Sequence, residues 1–443
     1  MSRRLIMLFL LVWALLVFRI DAPWYGSQEN SRVWIPASVR NYSYYGLETT
    51  GLMVTRDAAP VADPANLTFY SHHPPLISWV PTVLTEFIGF HEMGIRYAFA
   101  VATLISVVAF YVFVRRLYGE TVAFWAAAIY GLVPMTNYFG RVPGHDPLGT
   151  MAGLLFAAVF VNWLRRPTRS RLIALFGLVW LAMWTAWPAT FIVGCVGIAG
   201  LFLGNRQQKI AIIGMGVTSV IAFVVMIGSY QLQWSGSIDS LADRFLWRSS
   251  NASGRPDSEP FTALGWISEN FVHLIFYYAP TLLILSVMGL RPFRRRGSTF
   301  ANSLVIALFA AGLIYLLVFR NAAIIHPYYK SFLVPGLAVL AAMAWVYVRQ
   351  SMLRTRFGRP LMDSLLVLSI GMSAAVYGAV HYSSVIPEIS TVINAIEANA
   401  GDDDGVAVLL SNASNADFDL VLEFYTFRVV ETGINPDGAV QLA

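Results

Sequence analysis

Long apolar stretches separated by short polar breaks run through most of this chain. Eleven stand out, at 4–20, 95–114, 121–139, 147–164, 171–187, 189–204, 210–229, 271–290, 301–319, 329–348 and 362–381. Each is near the length at which a helix reaches across bilayer hydrocarbon. The pair within 171–204 is divided only at Trp187-Pro188. The segment 74–90 is apolar enough to be taken for a twelfth, but Pro74, Pro75 and Pro81 suit an irregular juxtamembrane segment better than an unbroken span. Residues 1–20 resemble a signal peptide, yet no small-x-small site closes the run, so an uncleaved first helix is expected. The pattern therefore predicts an all-α polytopic membrane protein with about 11 transmembrane helices over residues 1–382. The tail, 383–443, loses the membrane pattern. It predicts a helix at 387–399, an acidic turn at Gly401-Asp402-Asp403-Asp404-Gly405, a strand at 406–411 and an apolar-polar segment at 417–430. Such a small α/β region buries little core alone, so it is expected to dock on the other loops of its own side.

Composition agrees: 57% of the 443 residues are hydrophobic and 12% are charged, about half the usual charged fraction. That excludes a free soluble enzyme, and the single cysteine, Cys195, excludes a disulfide scaffold. The net charge of +5 is a matter of topology rather than of nucleic acid. With the N-terminus inside, the inner ends and loops carry 18 of the 30 basic residues but only Glu120 and Asp363 of the acids. The segment 74–90 must then stay outside, because a crossing there would invert every later loop. The polar material gathers outside, in 21–94, 230–270 and the tail. All seven histidines lie there or at outer helix ends. Lean loops and a near absence of lysine, with only Lys209 and Lys330, favour a prokaryotic plasma membrane.

Four segments carry candidate chemistry. In Tyr138-Phe-Gly-Arg-Val-Pro-Gly-His-Asp146-Pro-Leu an aspartate stands at a membrane boundary, where it can meet a lipid headgroup without burial in hydrocarbon. Asp146 before Pro147 equally fits a helix N-cap. Arg141 could hold Asp146 ionised or bind a phosphate oxygen. After the first span, Asp21 and Glu29 flank Trp24-Tyr-Gly-Ser-Gln. Carboxylates from two loops can share one pocket, one as general base and one as positioner. In Ser71-His-His-Pro-Pro-Leu76 two imidazoles, His72 and His73, could donate to phosphate; a zinc site would need further ligands, and no HExxH or cysteine set supplies them. Finally, Arg320-Asn-Ala-Ala-Ile-Ile-His326-Pro-Tyr-Tyr-Lys330 reads either as an aromatic belt with solvated charges or as a clamp for an anionic headgroup.

The ordered set resembles the membrane-embedded GT-C glycosyltransferases, and within them the protein O-mannosyltransferase and aminoarabinose transferase-like superfamily. A first span with an acidic outer loop comes first. Pro-Pro-Leu in Ser71–Trp79 follows, leading to Arg96; then come Arg141 to Asp146, and His326-Pro-Tyr-Tyr329. Where members often carry Asp-Glu, this chain has Gln28-Glu29, so Glu29 would act alone or with Asp21. Where some members carry lysine, His73 stands. The resemblance implies a GT-C-like fold and inverting transfer of a sugar from a polyprenyl-phosphate donor to an acceptor hydroxyl, on lipid, glycan or protein, outside the cytoplasm. It assigns Glu29, Asp146 and Asp21 to base and acceptor positioning. Arg141, His72, His73, Arg320, His326, Tyr328 and Lys330 become contacts to the carrier phosphate. A divalent cation is an option it leaves open. The alternative, a transporter or flippase for a lipid-linked or anionic substrate, would show related halves and midplane polar groups; no such repeat is seen.

Overall fold

The computed structural model describes residues 2–24, 29, 32–51, 53–59, 61–252, 260–352, 360, 363–364, 366–369, 371–372, 375, 378, 387–399, 401, 406–410, 418–426 and 430–434. Gln28, the acidic turn at 402–405, His381 and most of the expected span 362–381 lie outside the described residues.

Helix α1 (Arg3–Val17) buries Leu5, Leu8, Val12 and Leu16, one stripe at helical spacing, against α4 (Glu92–Tyr118) and α5 (Glu120–Leu132). The imidazole of His91 caps α4 by accepting the Gly94 N–H at 2.8 Å. At its other end Arg115 and Arg116 face the helix dipole, and Gly119, at φ 86°, turns the chain into α5. Beyond α6 (Pro134–Asn137), α7 (His145–Arg165) packs along α4. Next come α8 (Arg169–Thr185), α9 (Trp187–Leu203), α10 (Arg206–Gln233) and α11 (Ser237–Ser249). A second group comprises α12 (Ala263–Tyr278), α13 (Pro280–Arg296), α14 (Thr299–Val318), α15 (Arg320–Ile325) and α16 (Val334–Met352). Large apolar side chains such as Leu232, 92% exposed, and Phe202, 83% exposed, point outward, as lipid-facing residues do.

The expected eleven spans are not all continuous crossings. Among the described residues only α4, α7, α10 and α14 are long and apolar enough to span, and the pair α12 and α13 would make a fifth. That pair bends by 104° at Ala279, whose φ of 81° and following Pro280 break the helix in the middle of the expected span 271–290. The expected span 121–139 is cut to the 13 residues of α5 by Pro134. Extended backbone at Ala186 separates α8 and α9, of 17 residues each. The architecture is all-α and largely membrane-embedded, and its small β elements do not close into a barrel.

Between α1 and α4 lie α2 (Trp34–Thr50), a two-residue antiparallel ladder of β1 (Val54–Thr55) with β2 (Phe69–Tyr70), and α3 (Leu76–Ile88). The juxtamembrane segment 74–90 is mostly a 13-residue helix, shorter than a bilayer crossing. The tail forms a helix at Pro387–Asn399, then strand β3 (Val406–Leu410) parallel to β4 (Val430–Ile434), with the helix Phe418–Thr426 between them. Parallel strands need such a crossover. Ile393, Ile396, Val421 and Leu422 share one apolar core with Trp24, Val33, Ile35 and Ile77, so the tail docks on the first large loop.

A polar bolt secures that docking. The Tyr425 hydroxyl accepts the Trp24 N–H and donates to Glu92 Oε1, both at 2.9 Å. Tyr425→Phe is expected to cost about 1–2 kcal/mol by removing both bonds. A thermal unfolding midpoint measured in detergent and equal to wild type would show that the bolt is idle.

Candidate functional site

Six chain segments meet around a cavity of about 160 Å³. Arg32 precedes α2, and Trp34 and Ile35 begin it; Arg56 follows β1 and Tyr70 ends β2; His73 stands before the two prolines. Gly144 and His145 open α7, Arg244, Trp247 and Arg248 come from α11, and His326, Tyr328 and Tyr329 follow α15. Among the described residues the wall holds four guanidinium groups and no carboxylate.

Arg32 is the most constrained of the four. Its Nη1 donates to the Pro143 carbonyl at 3.1 Å, and its Nη2 lies 3.1 Å from Asp146 Oδ1. Its guanidinium rests 3.7 Å from the Tyr328 ring centre, a cation–π contact. Gly144 is required by this approach: a Cβ there would lie 2.1 Å from Arg32 Nη1 and 2.7 Å from Asp146 Oδ1. Arg248 donates from Nη1 to the His72 carbonyl at 3.4 Å and from Nη2 to His73 Nε2 at 3.1 Å. His73 is therefore an acceptor at Nε2, stacked between Trp34 at 5.5 Å and His145 at 5.0 Å.

Burial favours the neutral form of His72, His73 and His326. Burial, and next Arg248, hold His73 well below the usual imidazole range and bring His72 down to about 3. Burial, and next Arg32, bring His326 down to about 3. Among the described wall residues the positive charge is therefore arginine's.

The expected site residues divide. His73, His326 and Tyr328 line the cavity. His72 points away, with Nε2 at 2.9 Å from Ser240 Oγ, and contributes its carbonyl to Arg248. Asp146 lies behind Arg32, facing a second small space with Thr103, Thr136 and Thr150. Glu29 is buried in an ion pair with Arg96 at 3.1 Å. Arg96 also donates to the carbonyls of Ile20, Ala22 and Pro23 and lies over the Trp24 ring, so this pair secures the chain after α1. Asp21 is exposed and outside the wall. Arg141 is buried and donates to the Phe18 carbonyl at the end of α1. Arg320 is exposed and donates to the Ser250 carbonyl at 3.3 Å. Lys330 is fully buried, with Nζ against His273 Nδ1 at 2.8 Å and donating to the carbonyls of Ala323 and His326, which closes the turn after α15. Sequence reasoning passed over Arg32, Arg56, Trp34 and Tyr70. The loop 230–270, which carries Arg244, Trp247 and Arg248, stood out only as polar material gathered outside. A weak signal was present: Arg244 and Arg248 sit four apart on one helix face. Among the described residues no group of three or more His, Cys, Asp or Glu is placed to hold a metal ion.

A second hollow adjoins the first. It is an almost wholly apolar groove of about 620 Å³, walled by Trp187, Phe191, Phe223, Leu241, Phe245 and Phe319 among others. Arg244 and Arg248 line both spaces. A cationic cavity and an apolar groove thus share two guanidinium groups, which is the complement of an anion on a hydrocarbon chain.

Residues 72–230 match the family of dolichyl-phosphate-mannose-protein mannosyltransferases. No curated protein sequence matches the chain. Among solved structures, ArnT from Cupriavidus metallidurans bound to undecaprenyl phosphate is 14% identical, with a TM-score of 0.61 over 97% of this chain and 85% of that one. The archaeal oligosaccharyltransferase AglB from Archaeoglobus fulgidus, in complex with an inhibitory peptide and a dolichol-phosphate, is 11% identical, with a TM-score of 0.63 over 98% of this chain. The chain spans 65% of that enzyme. The arabinofuranosyltransferase AftD from Mycobacteria is 11% identical, with a TM-score of 0.55 over all of this chain and 32% of its own. At these identities the likeness establishes the fold.

Proposed function

We propose that this chain, related at superfamily level to the GT-C membrane glycosyltransferases, moves a sugar from a polyprenyl-phosphate carrier to an acceptor hydroxyl, with inversion at the anomeric carbon. One observation carries the reading: Arg244 and Arg248 belong at once to the cationic cavity and to the apolar groove. The carrier's phosphate sits at the arginines and its chain runs along the groove between α9, α10 and α11. The acceptor oxygen attacks the anomeric carbon from the face opposite the phosphate. The carbon–oxygen bond to phosphate breaks, the carrier phosphate leaves with the electron pair, and the acceptor's proton passes to a carboxylate. Fixed guanidinium groups stabilise the charge gathering on the leaving phosphate.

Asp146 is the carboxylate best placed for that proton, since it pairs with Arg32, which lines the cavity. A bound phosphate competes for Arg32 and frees the Asp146 oxygen. Glu29 and Arg96 hold the loop that presents Arg32, because the Arg32 N–H donates to the Glu29 carbonyl at 2.9 Å. The cavity lies at the N-terminal end of α7 and not midway along the spans, where a transporter would hold its substrate. On the charge-based orientation this end faces outside the cytoplasm of a prokaryotic plasma membrane.

The test is release of polyprenyl phosphate from a panel of polyprenyl-phosphate sugars by the purified protein. At least one donor is expected to turn over. Leu241→Trp, which fills the groove, is expected to weaken long-chain donors about tenfold while sparing short-chain ones. No release from any donor, together with no binding of polyprenyl phosphate itself, would end the proposal.

A further inference from the structure

At the far end of the molecule a third hollow opens between α13 and α16, with a volume of about 860 Å³. The two helices touch at Gly289, where a Cβ would come within 2.0 Å of the Leu340 carbonyl oxygen. Beyond that contact they part, leaving apolar walls that include Met288 and Leu290 on one side and Ala344 and Val348 on the other. Arg291, Arg294 and Arg295 stand along the α13 side of the opening, at helical spacing that puts them on one face. All three are exposed, and none makes an ion pair with a carboxylate among the described residues.

This place is separate from the candidate site. The ring of Phe293 packs 6.3 Å from Tyr118, the last residue of α4, whereas the candidate site surrounds the region where α4 begins. The 27 residues of α4 rise by about 40 Å, a bilayer's thickness. The arginine cleft therefore lies at the opposite membrane surface.

Three like charges within about one helical turn repel one another, and here they border a cleft with apolar walls. The ligand that relieves both is amphiphilic and anionic: a phosphate for the guanidinium fork and acyl chains for the walls. We propose that the α13–α16 cleft is a binding site for an anionic glycerophospholipid of that leaflet, its headgroup phosphate held by Arg294 and Arg295 and its chain lying against Ala344 and Val348. Contrast comes from another arginine cluster, in the turn between α7 and α8. There Arg171 donates to the Asn162 and Arg166 carbonyls and Arg165 lies over the Phe300 ring, so backbone and aromatic groups already engage those charges.

The test uses the full chain purified in detergent. Retained lipid is read by native mass spectrometry, and the unfolding midpoint is read with added phosphatidylglycerol, phosphatidylcholine or inorganic phosphate. Phosphatidylglycerol is expected to be retained and to raise the midpoint. Arg294→Gln/Arg295→Gln is expected to weaken retention about 30-fold, and Arg294→Lys/Arg295→Lys, which keeps the charge, by less. Arg165→Gln/Arg166→Gln is expected to leave retention unchanged. The site is refuted if that control loses lipid equally, if phosphatidylcholine serves as well, or if inorganic phosphate alone reproduces the shift.

Discussion

Arg248→Gln is expected to slow sugar transfer by about 100- to 1,000-fold, the loss typical when one preorganised donor to a developing negative charge is removed. The reason lies in its position. Arg248 stands where the cationic cavity meets the apolar groove, and it is aimed by the His72 carbonyl and the lone pair of His73 Nε2. A guanidinium held in this way needs no reorientation as the carrier phosphate gains charge. The neighbouring imidazoles cannot replace it, because burial keeps His73 uncharged. His73→Asn should therefore cost much less, about tenfold, by loosening the aim of Arg248 without removing charge. The readout is the initial rate of polyprenyl-phosphate release at saturating donor. Donor affinity comes from the same titration, since a lost transition-state contact lowers kcat more than it raises KM. A wild-type rate in Arg248→Gln would remove the arginine pair from the chemistry, and with it the main support for the functional reading.

Some of this arrangement was legible in the sequence and some was not, for physical reasons. The turn at 138–146 stood out because a short polar run between two long apolar ones has few explanations. The tail's helix at 387–399 and strand near 406 followed from the change of pattern. Pattern could not reveal where an apolar run bends. Hydropathy runs on through Ala279 and Val133, although the prolines that follow them, Pro280 and Pro134, are the local signals of the breaks. The cavity's cations were hidden for another reason. Arg32, Arg56, Arg244 and Arg248 come from three distant segments, and no spacing rule links them. Conversely, Glu29, Arg141 and Lys330 attracted notice as charges in suggestive motifs. The fold gives each a buried structural partner: Arg96 for Glu29, the Phe18 carbonyl for Arg141, and His273 with two carbonyls for Lys330.

Arg32 and Asp146 combine both kinds of role, and a paired replacement can separate them. Both side chains are nearly inaccessible, at 4% and 2% exposure, and 3.1 Å apart. Removing either alone strands a buried charge, which costs about 3–5 kcal/mol. Arg32→Met and Asp146→Leu should each lower stability by that amount, while the double variant should recover most of the loss, because well-packed apolar side chains replace a buried pair with little penalty. Activity should behave otherwise. If Arg32 yields to the carrier phosphate and thereby frees Asp146 to take the acceptor's proton, the double variant stays as inactive as either single one, however well it folds. Denaturant unfolding and polyprenyl-phosphate release on the same four proteins give both halves of the answer. Stabilities that simply add would mean that the two charges do not depend on each other. A stable double variant with wild-type turnover would make the pair a structural clasp and move the base elsewhere. Recovery of stability without recovery of turnover is the result that a phosphate-triggered exchange at Arg32 requires.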